Sequence, residues 1–162
     1  MSPFMNSDIA ARRVLIVAPD QGLLARLMAV AARTAHAEGC RSFRSARSRL
    51  DKTAYDLLVT DARLAEYNGL HLVHLARFVH PTTRAIVFDS HGDSNVATDV
   101  QRAAAFFEAA SHLVVALPSY IASPLPPTDR RTPVAFDRRT LPRGGRRIWD
   151  RHLSEHTSST RY

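Results

Sequence analysis

The sequence LLVTDARLAEYNGL covers residues 57–70, and its apolar run ends on a carboxylate, Asp61. Asn68 and Gly69 follow after a short polar interval, and apolar residues then recur at helical spacing. A short apolar run bounded by turn residues is typical of a buried strand, and an Asn-Gly pair is typical of a turn. The stretch therefore predicts a strand, a loop and a helix, with Asp61 at the carboxyl end of the strand.

Similar units occur on both sides of this stretch. Further strands are predicted at RRVLIV (12–17), RAIVFD (84–89) and HLVVAL (112–117), with a weaker one at 41–44. Helical spacing of apolar residues predicts helices over 20–39, 70–80 and 93–110. Strands that alternate with helices indicate a mostly parallel, doubly wound sheet with helices on both faces. Ligand sites of such sheets lie at the carboxyl ends of the strands, where Asp20, Asp61 and Asp89 are all expected.

The composition is that of a globular protein with one domain. The chain has 162 residues, of which 45% are hydrophobic and 23% are charged. Its one cysteine, Cys40, excludes an internal disulfide and a cysteine-rich zinc site. No apolar run approaches the roughly 18 residues of a membrane span, and no signal peptide is recognisable, so a cytoplasmic location without membrane contact is predicted.

Proline and arginine become frequent after residue 122. Residues 123–162 contribute +5 of the formal net charge of +7, and their prolines interrupt any regular pattern. We therefore predict a flexible N-terminus (1–11), one folded domain (12–122) and a largely disordered tail (123–162). Within the tail, a short helix over 146–156 would present Ile148, Trp149 and Leu153 as candidate contacts to a partner.

Residues 12–118 resemble the receiver domain of bacterial two-component response regulators. DLLVTDARLAEYNGL is similar to the family's third strand, its phosphoacceptor aspartate and the glycine that opens the third helix. VLIVAPDQ resembles the first strand with its loop, and HPTTRAIVFDSHGDSN resembles the fourth. The resemblance implies a flavodoxin-like, CheY-like three-layer αβα fold and places Asp61 at the phosphoacceptor position. Because prolines begin at Pro118, the family's closing helix is expected to be missing or displaced.

The positions that support phosphorylation in the family differ here. The resemblance implies an acidic pair that helps to hold Mg²⁺, and this pair falls on Ala18 and Pro19, which leaves only Asp20 acidic. Asp89 falls where the family has the Ser or Thr that binds the phosphoryl group. The adjacent Ser90 is expected to point elsewhere.

The conserved lysine of the family also has no counterpart. Its position falls on Leu117, or on Ser111 in another alignment, and the only lysine of the chain is Lys52, before the predicted third strand. The family's aromatic switch position falls on Val114. The sequence therefore predicts a degenerate, or pseudo-receiver, domain in which most of the chemical support of Asp61 is absent.

Three functions follow from this reading. The first is a non-enzymatic protein-interaction module in signal transduction, independent of phosphorylation and without a cofactor. Its partner would be a histidine kinase, another regulator or a second copy of the chain. The second is a divergent phosphorelay receiver that is phosphorylated on Asp61, with weak Mg²⁺ binding at Asp20 and Asp61. The third is a nucleic-acid-associated regulator that uses the arginine pairs of the tail, since such pairs can contact phosphates.

Overall fold

The computed structural model describes residues 12–91, 93–123 and 125–131. Five parallel strands form one sheet in the order β2-β1-β3-β6-β7, and two short strands form a separate hairpin. In chain order the strands are β1 Arg13–Val17, β2 His36–Cys40, β3 Leu57–Asp61, β4 Arg63–Leu64, β5 Tyr67–Asn68, β6 Arg84–Asp89 and β7 Phe106–Ala109. The helices are α1 Gln21–Ala31, α2 Phe43–Leu50, α3 Gly69–Val79, α4 Ser94–Arg102 and α5 Ala110–Ala122.

The sheet separates two apolar cores, as a three-layer αβα fold requires. Alternate residues of a strand point to opposite faces. Leu15 and Leu58 therefore join the core under α2, α3 and α4, while Ile16 and Val59 join the core under α1 and α5. All five residues of β3 are buried, because this strand lies at the centre of the sheet with helices on both sides. The predicted doubly wound, flavodoxin-like architecture is confirmed.

The closing helix is present, which corrects the expectation that it is missing or displaced. α5 follows β7 directly and contains Pro118 within its length. The predicted strand HLVVAL lies inside this helix, where Leu113, Leu117 and Ile121 recur at intervals of four residues and are buried. Aliphatic residues over a span this short fit a strand or a buried helix equally well, so their composition did not distinguish the two.

The last strand lies in the region that was predicted as one long helix over 93–110. α4 ends at Arg102, and the chain turns through Ala104 in the left-handed region, with φ of 56°. Phe106 and Phe107 then enter β7. The apolar spacing of these aromatic residues matched a helix, but the turn at Ala104 gave no glycine or proline signal in the sequence.

The end of α1 and the strand β2 both lie nearer the N-terminus than predicted. α1 ends at Ala31 instead of continuing to Gly39, which lies in β2. The weak strand predicted at 41–44 is the start of α2, where the Ser42 hydroxyl accepts the backbone N–H of Ser45 as an N-cap. Cys40 is buried, as expected of a small apolar residue.

The two ends of the folded region are tied together by an arginine. Arg12 precedes β1, and its guanidinium donates to the carbonyl oxygen of Ile121, in the last turn of α5, at 2.7 Å. In the described part of the chain, no helix has both the length and the apolar composition needed to cross a bilayer.

Gly69 provides a test of how closely α3 approaches the end of β3. Its backbone N–H donates to Ala62 O at 2.9 Å, and a Cβ built on it would lie 2.0 Å from Asp61 O. Gly69→Ala should therefore lower the free energy of unfolding by about 3 kcal/mol, because backbone would have to move. Chemical denaturation measures this loss.

Gly22→Ala is the matched control for that substitution. Gly22 lies in α1, and a Cβ there would meet only the Asp20 carboxylate, at 3.5 Å. Alanine has the higher helix propensity, so this variant should gain about 0.5–1 kcal/mol. An equal, small effect of the two substitutions would contradict the close approach at Gly69.

Candidate functional site

The candidate site lies at the carboxyl ends of β1, β3 and β6. β1 pairs with β2 on one side and β3 on the other, so the chain reverses its winding direction between β1 and β3. Crevices that bind ligands in such sheets form at this point. Ala18 follows β1, Asp61 ends β3 and Asp89 ends β6, which brings the three positions to one rim.

Asp61 is buried, and both of its carboxylate oxygens accept hydrogen bonds. The side chain is only 5% exposed. Oδ1 accepts the backbone N–H of Arg63 at 2.9 Å, and Oδ2 accepts the Ser90 hydroxyl at 3.2 Å. Burial raises the pKa of Asp61, and the nearby Asp89 carboxylate adds to that rise, although the two hydrogen bonds oppose it. The site therefore disfavours additional negative charge on Asp61.

Asp89 is a second buried carboxylate beside the first. Its Oδ2 accepts the backbone N–H of Asp93 at 2.6 Å. Among the described residues, Oδ1 accepts no hydrogen bond, although two basic groups lie near it. These are Arg63 Nε at 3.6 Å and His91 Nδ1 at 3.9 Å. An unsatisfied buried carboxylate oxygen is costly, so the approach of these groups partly offsets its burial.

Arg63 provides the nearest arginine to this pair of acids. Its Nη2 lies 3.5 Å from Asp93 Oδ2 while its Nε faces Asp89. The β4–β5 hairpin positions it, because Arg63 opens β4 two residues after Asp61. The sequence analysis did not single out Arg63. Its position in the loop directly after a strand-terminal acid was the available signal.

Ser90 corrects one expectation. It was predicted to point away from Asp61, yet its hydroxyl donates to Asp61 Oδ2. Asp89 ends β6, and the chain bends directly after it, so the next side chain turns toward β3. A hydroxyl group is therefore present at the rim, one position later than the resemblance placed it.

Asp20 does not form a three-carboxylate cluster with the two buried acids. Its Oδ1 accepts the backbone N–H of Leu23 at 2.6 Å, so it caps α1. Ala18 is fully buried, and the Pro19 carbonyl oxygen accepts Arg41 Nε at 3.0 Å. Within the described ranges, no three His, Cys, Asp or Glu side chains are grouped to hold a metal ion. Mg²⁺ binds carboxylate and water oxygens, and the one carboxylate that follows β1 is occupied as the cap of α1, so this end of the rim offers no free side-chain ligand for the ion.

The end of the last strand is also different from the prediction. Leu117, the predicted lysine position, lies in α5 and is fully buried. The strand instead ends at Ala109, which pairs with Asp89 in the sheet register. The aromatic position predicted at Val114 lies in α5 as well, whereas β7 carries Phe106 and Phe107. A methyl group thus stands at the strand end, beside Asp89.

The candidate partner contacts of the tail cannot be placed beside this site. Ile148, Trp149 and Leu153 lie outside the described residues, as do the arginine pairs at 138–139 and 146–147. The arginine pair at 130–131 is described and lies along the outer side of β7, where Arg131 donates to the Phe107 carbonyl oxygen.

Comparison with known proteins shows the receiver-domain fold. No protein-family model and no curated protein matches the sequence. The BeF3-activated receiver domain of DrrB, a Thermotoga maritima OmpR/PhoB homologue, is 14% identical with a TM-score of 0.61, and the match covers 70% of this chain and 99% of that one. Against the longer DrrB response regulator, the match spans about half (53%) of that chain. A CheY-like receiver domain protein from Methanospirillum hungatei is 15% identical with a TM-score of 0.61, covering 70% of this chain and 95% of that one.

Asp61→Asn tests the electrostatic strain at the site. Because the pKa of Asp61 is raised in the folded state, its carboxyl contributes most to the free energy of unfolding at a pH below the unfolded-state pKa. That contribution is lost as the pH rises through the folded-state pKa. Asparagine carries no charge and can keep the hydrogen bond from Arg63. The variant should therefore be more stable than the wild type at pH 7, by on the order of 1 kcal/mol, and the difference should shrink toward about pH 4.

Urea denaturation at the two pH values measures this difference. Glu66→Gln is the control, because Glu66 is an exposed acid of the same loop and loses the same charge. A destabilised Asp61→Asn at pH 7, with Glu66→Gln unchanged, would show that the Asp61 carboxylate stabilises the fold.

Proposed function

We propose that this chain is a receiver-like signalling module that acts by binding a protein partner, without enzymatic activity of its own and without phosphorylation of Asp61. The observation that carries the proposal is that β7 ends at Ala109, beside Asp89, so that this strand brings no cationic side chain to the rim where Asp61 and Asp89 lie. The receiver-domain fold supports a role in signal transduction. The geometry at the rim supports a mode of action that does not require transfer of a phosphoryl group to Asp61.

The electrostatics at the rim argue against a stable aspartyl phosphate. A phosphoryl group carries close to two negative charges and needs cations to neutralise them. Here it would lie beside Asp89, whose side chain is fully buried. Arg63 is already shared between Asp89 and Asp93, and Asp20, the carboxylate that follows β1, caps α1 and is not free to hold Mg²⁺. The modified state would therefore be less stable than the unmodified one.

Protein partners are proposed from the same fold. The NtrC4 receiver domain was solved as a beryllofluoride-activated dimer, and DrrB is a homologue of OmpR and PhoB. By analogy, a histidine kinase, another regulator or a second copy of this chain would bind to the helical surfaces, in the cytoplasm. This list of partners rests on the fold alone. The matched structures share less than a fifth of their residues with this chain, so sequence similarity adds nothing to it.

Phosphorylation of Asp61 is the second candidate, and one contact favours it. The Ser90 hydroxyl lies 3.2 Å from Asp61 Oδ2, so a hydrogen-bond donor is present where a phosphoryl oxygen would form. Asp61 would remain the acceptor, with Arg63, which lies 3.6 Å from Asp89, as a cation at the rim. This candidate requires Arg63 to leave Asp93 and turn toward Asp61.

Nucleic-acid binding receives no added support from the described residues. Of the arginine pairs in the tail, the one at 130–131 is described, and its Arg131 is bound to Asp129 and to the backbone of β7. A side chain held in this way is a weaker phosphate ligand than a solvated one. Salt-dependent binding to duplex DNA remains the test of this candidate.

Incubation with a small-molecule phosphodonor and Mg²⁺, followed by intact-mass measurement, tests the proposal. We expect the wild-type chain to gain no phosphoryl group, because no cation opposes the new charge. Ala109→Lys should gain a measurable fraction, since it introduces an ammonium group at the strand end that pairs with Asp89. The comparison isolates the missing cation as the cause.

Asp61→Asn in the Ala109→Lys background is the control for the acceptor. Any adduct on Ala109→Lys should vanish in this double variant. Beryllofluoride, the reagent used on the DrrB and NtrC4 receiver domains, adds an independent readout through hydrogen exchange at the rim. Efficient labelling of the wild type that is lost in Asp61→Asn would overturn the proposal in favour of the phosphorelay candidate.

A further inference from the structure

The segment Leu125–Arg131 lies along the edge of the sheet that β7 forms. β7 is the last strand in the sheet order, so no strand of the described residues lies on its outer side. The segment belongs to the predicted tail, yet it is held at both ends. The Leu125 carbonyl oxygen accepts Arg84 Nε at 3.2 Å, and the Arg131 carbonyl oxygen accepts the side-chain amide of Gln101.

Asp129 and Arg131 form a compact ion pair within this segment. Arg131 Nε and Nη2 donate to Asp129 Oδ1 and Oδ2, each at 3.0 Å, and the backbone N–H of Arg131 donates to Asp129 Oδ1 at 2.9 Å. The Asp129 carboxylate is buried, with 3% side-chain exposure. Planar, two-point pairing of this kind fixes orientation as well as distance. We call this pair the edge clasp.

The edge clasp contacts the backbone of Phe107 on the outer side of β7. Arg131 Nη2 donates to Phe107 O at 3.0 Å. Burial raises the pKa of the Asp129 carboxyl, but Arg131, helped by the backbone N–H of Phe107, holds that pKa below its ordinary value. The two side chains thus satisfy the donor and the acceptor that a neighbouring strand would otherwise pair.

Contacts with α5 and with the aromatic residues of β7 hold the clasp in place. Arg131 Nη1 lies 3.3 Å from the Tyr120 hydroxyl and 3.6 Å from Glu108 Oε2. The Arg131 guanidinium also lies 5.2 Å from the centre of the Phe106 ring, within the range of cation–π attraction. Elements α4, β7 and α5 therefore all contribute to one binding site for Arg131.

We propose that the edge clasp closes the β7 edge against a second copy of this chain, and that opening the clasp exposes an edge through which two copies pair. An uncovered edge strand is a template for pairing with another chain. A residue whose N–H and C=O both face outward can exchange both bonds with its counterpart in an antiparallel pair. Phe107 opposite Phe107 of a second copy, across a two-fold axis, meets this geometry with identical surfaces.

Charge favours a second copy over an unrelated acidic or basic strand once the clasp is open. β7 carries one charged residue, Glu108, which is bound by Tyr120 and by His112 at 3.2 Å. The remaining residues of the strand are two phenylalanines and an alanine. Pairing of two such strands buries apolar side chains on both copies. This surface is separate from Asp61, so the inference stands whether or not Asp61 is phosphorylated.

Arg131→Ala and Asp129→Asn in the full-length chain test this inference, with Arg130→Ala as the matched control. Arg130 is the adjacent exposed arginine, and its loss removes the same charge without opening the clasp. Sedimentation velocity over a series of concentrations should show at least about tenfold tighter self-association for both clasp variants than for the wild type and Arg130→Ala. Asp129→Asn keeps the side-chain shape, so it covers the case in which Arg131→Ala fails to fold.

Residue-resolved hydrogen exchange shows whether β7 is the surface involved. At low concentration the Phe107 amide should exchange faster in the clasp variants than in the wild type, and it should become protected again as the concentration rises. Unchanged exchange at Phe107 would overturn the clasp. Faster exchange without tighter self-association, or self-association that leaves Phe107 unprotected, would overturn the pairing of two copies through this edge.

Discussion

Two carboxylates end adjacent strands of the sheet, and both are almost completely withdrawn from water. Asp61 satisfies its oxygens with the Arg63 backbone and the Ser90 hydroxyl, while Asp89 keeps one oxygen without a hydrogen bond among the described residues. Charge repulsion between such groups is strong in a medium that screens weakly. Arg63, which lies near Asp89, and the Ser90 hydroxyl, which donates to Asp61, both reduce that repulsion. The same repulsion makes the rim resist further negative charge.

The opening stretch was predictable because three independent signals agreed on it. The continuous apolar run indicated a buried strand, the Asn-Gly pair indicated that this strand was followed by a turn, and the helical spacing after it indicated a helix. The structure shows the strand and the helix, with Asn68 as the N-cap of α3. Agreement between local and global signals is what makes a segment readable from sequence.

The region from α4 to α5 was not predictable in the same way. β7 has four residues, two of them aromatic at a spacing that also suits a helix, and α5 contains the adjacent residues Val114 and Val115 as well as Pro118. Local preference therefore pointed to the wrong element in both places, and packing against α1 and the sheet decided the outcome. The error carried into the site, because the end of the last strand was sought at Leu117 when it lies at Ala109. The side-chain direction of Ser90 likewise depends on a backbone bend that residue type does not encode.

The hydrogen bond from the Arg12 guanidinium to the Ile121 carbonyl oxygen joins residues that are 109 positions apart. It lies at the C-terminus of α5, which is the negative end of the helix dipole. β1 lies between β2 and β3 in the sheet, and α5 packs on α1 next to it. Of the described elements, the first strand is therefore completed by the last helix. Contacts of such long sequence separation slow folding, because the loop must close before they form. During synthesis the apolar surface of α1 that α5 covers stays exposed until the whole domain has emerged, which makes this surface the point at which a nascent chain depends on protection from aggregation.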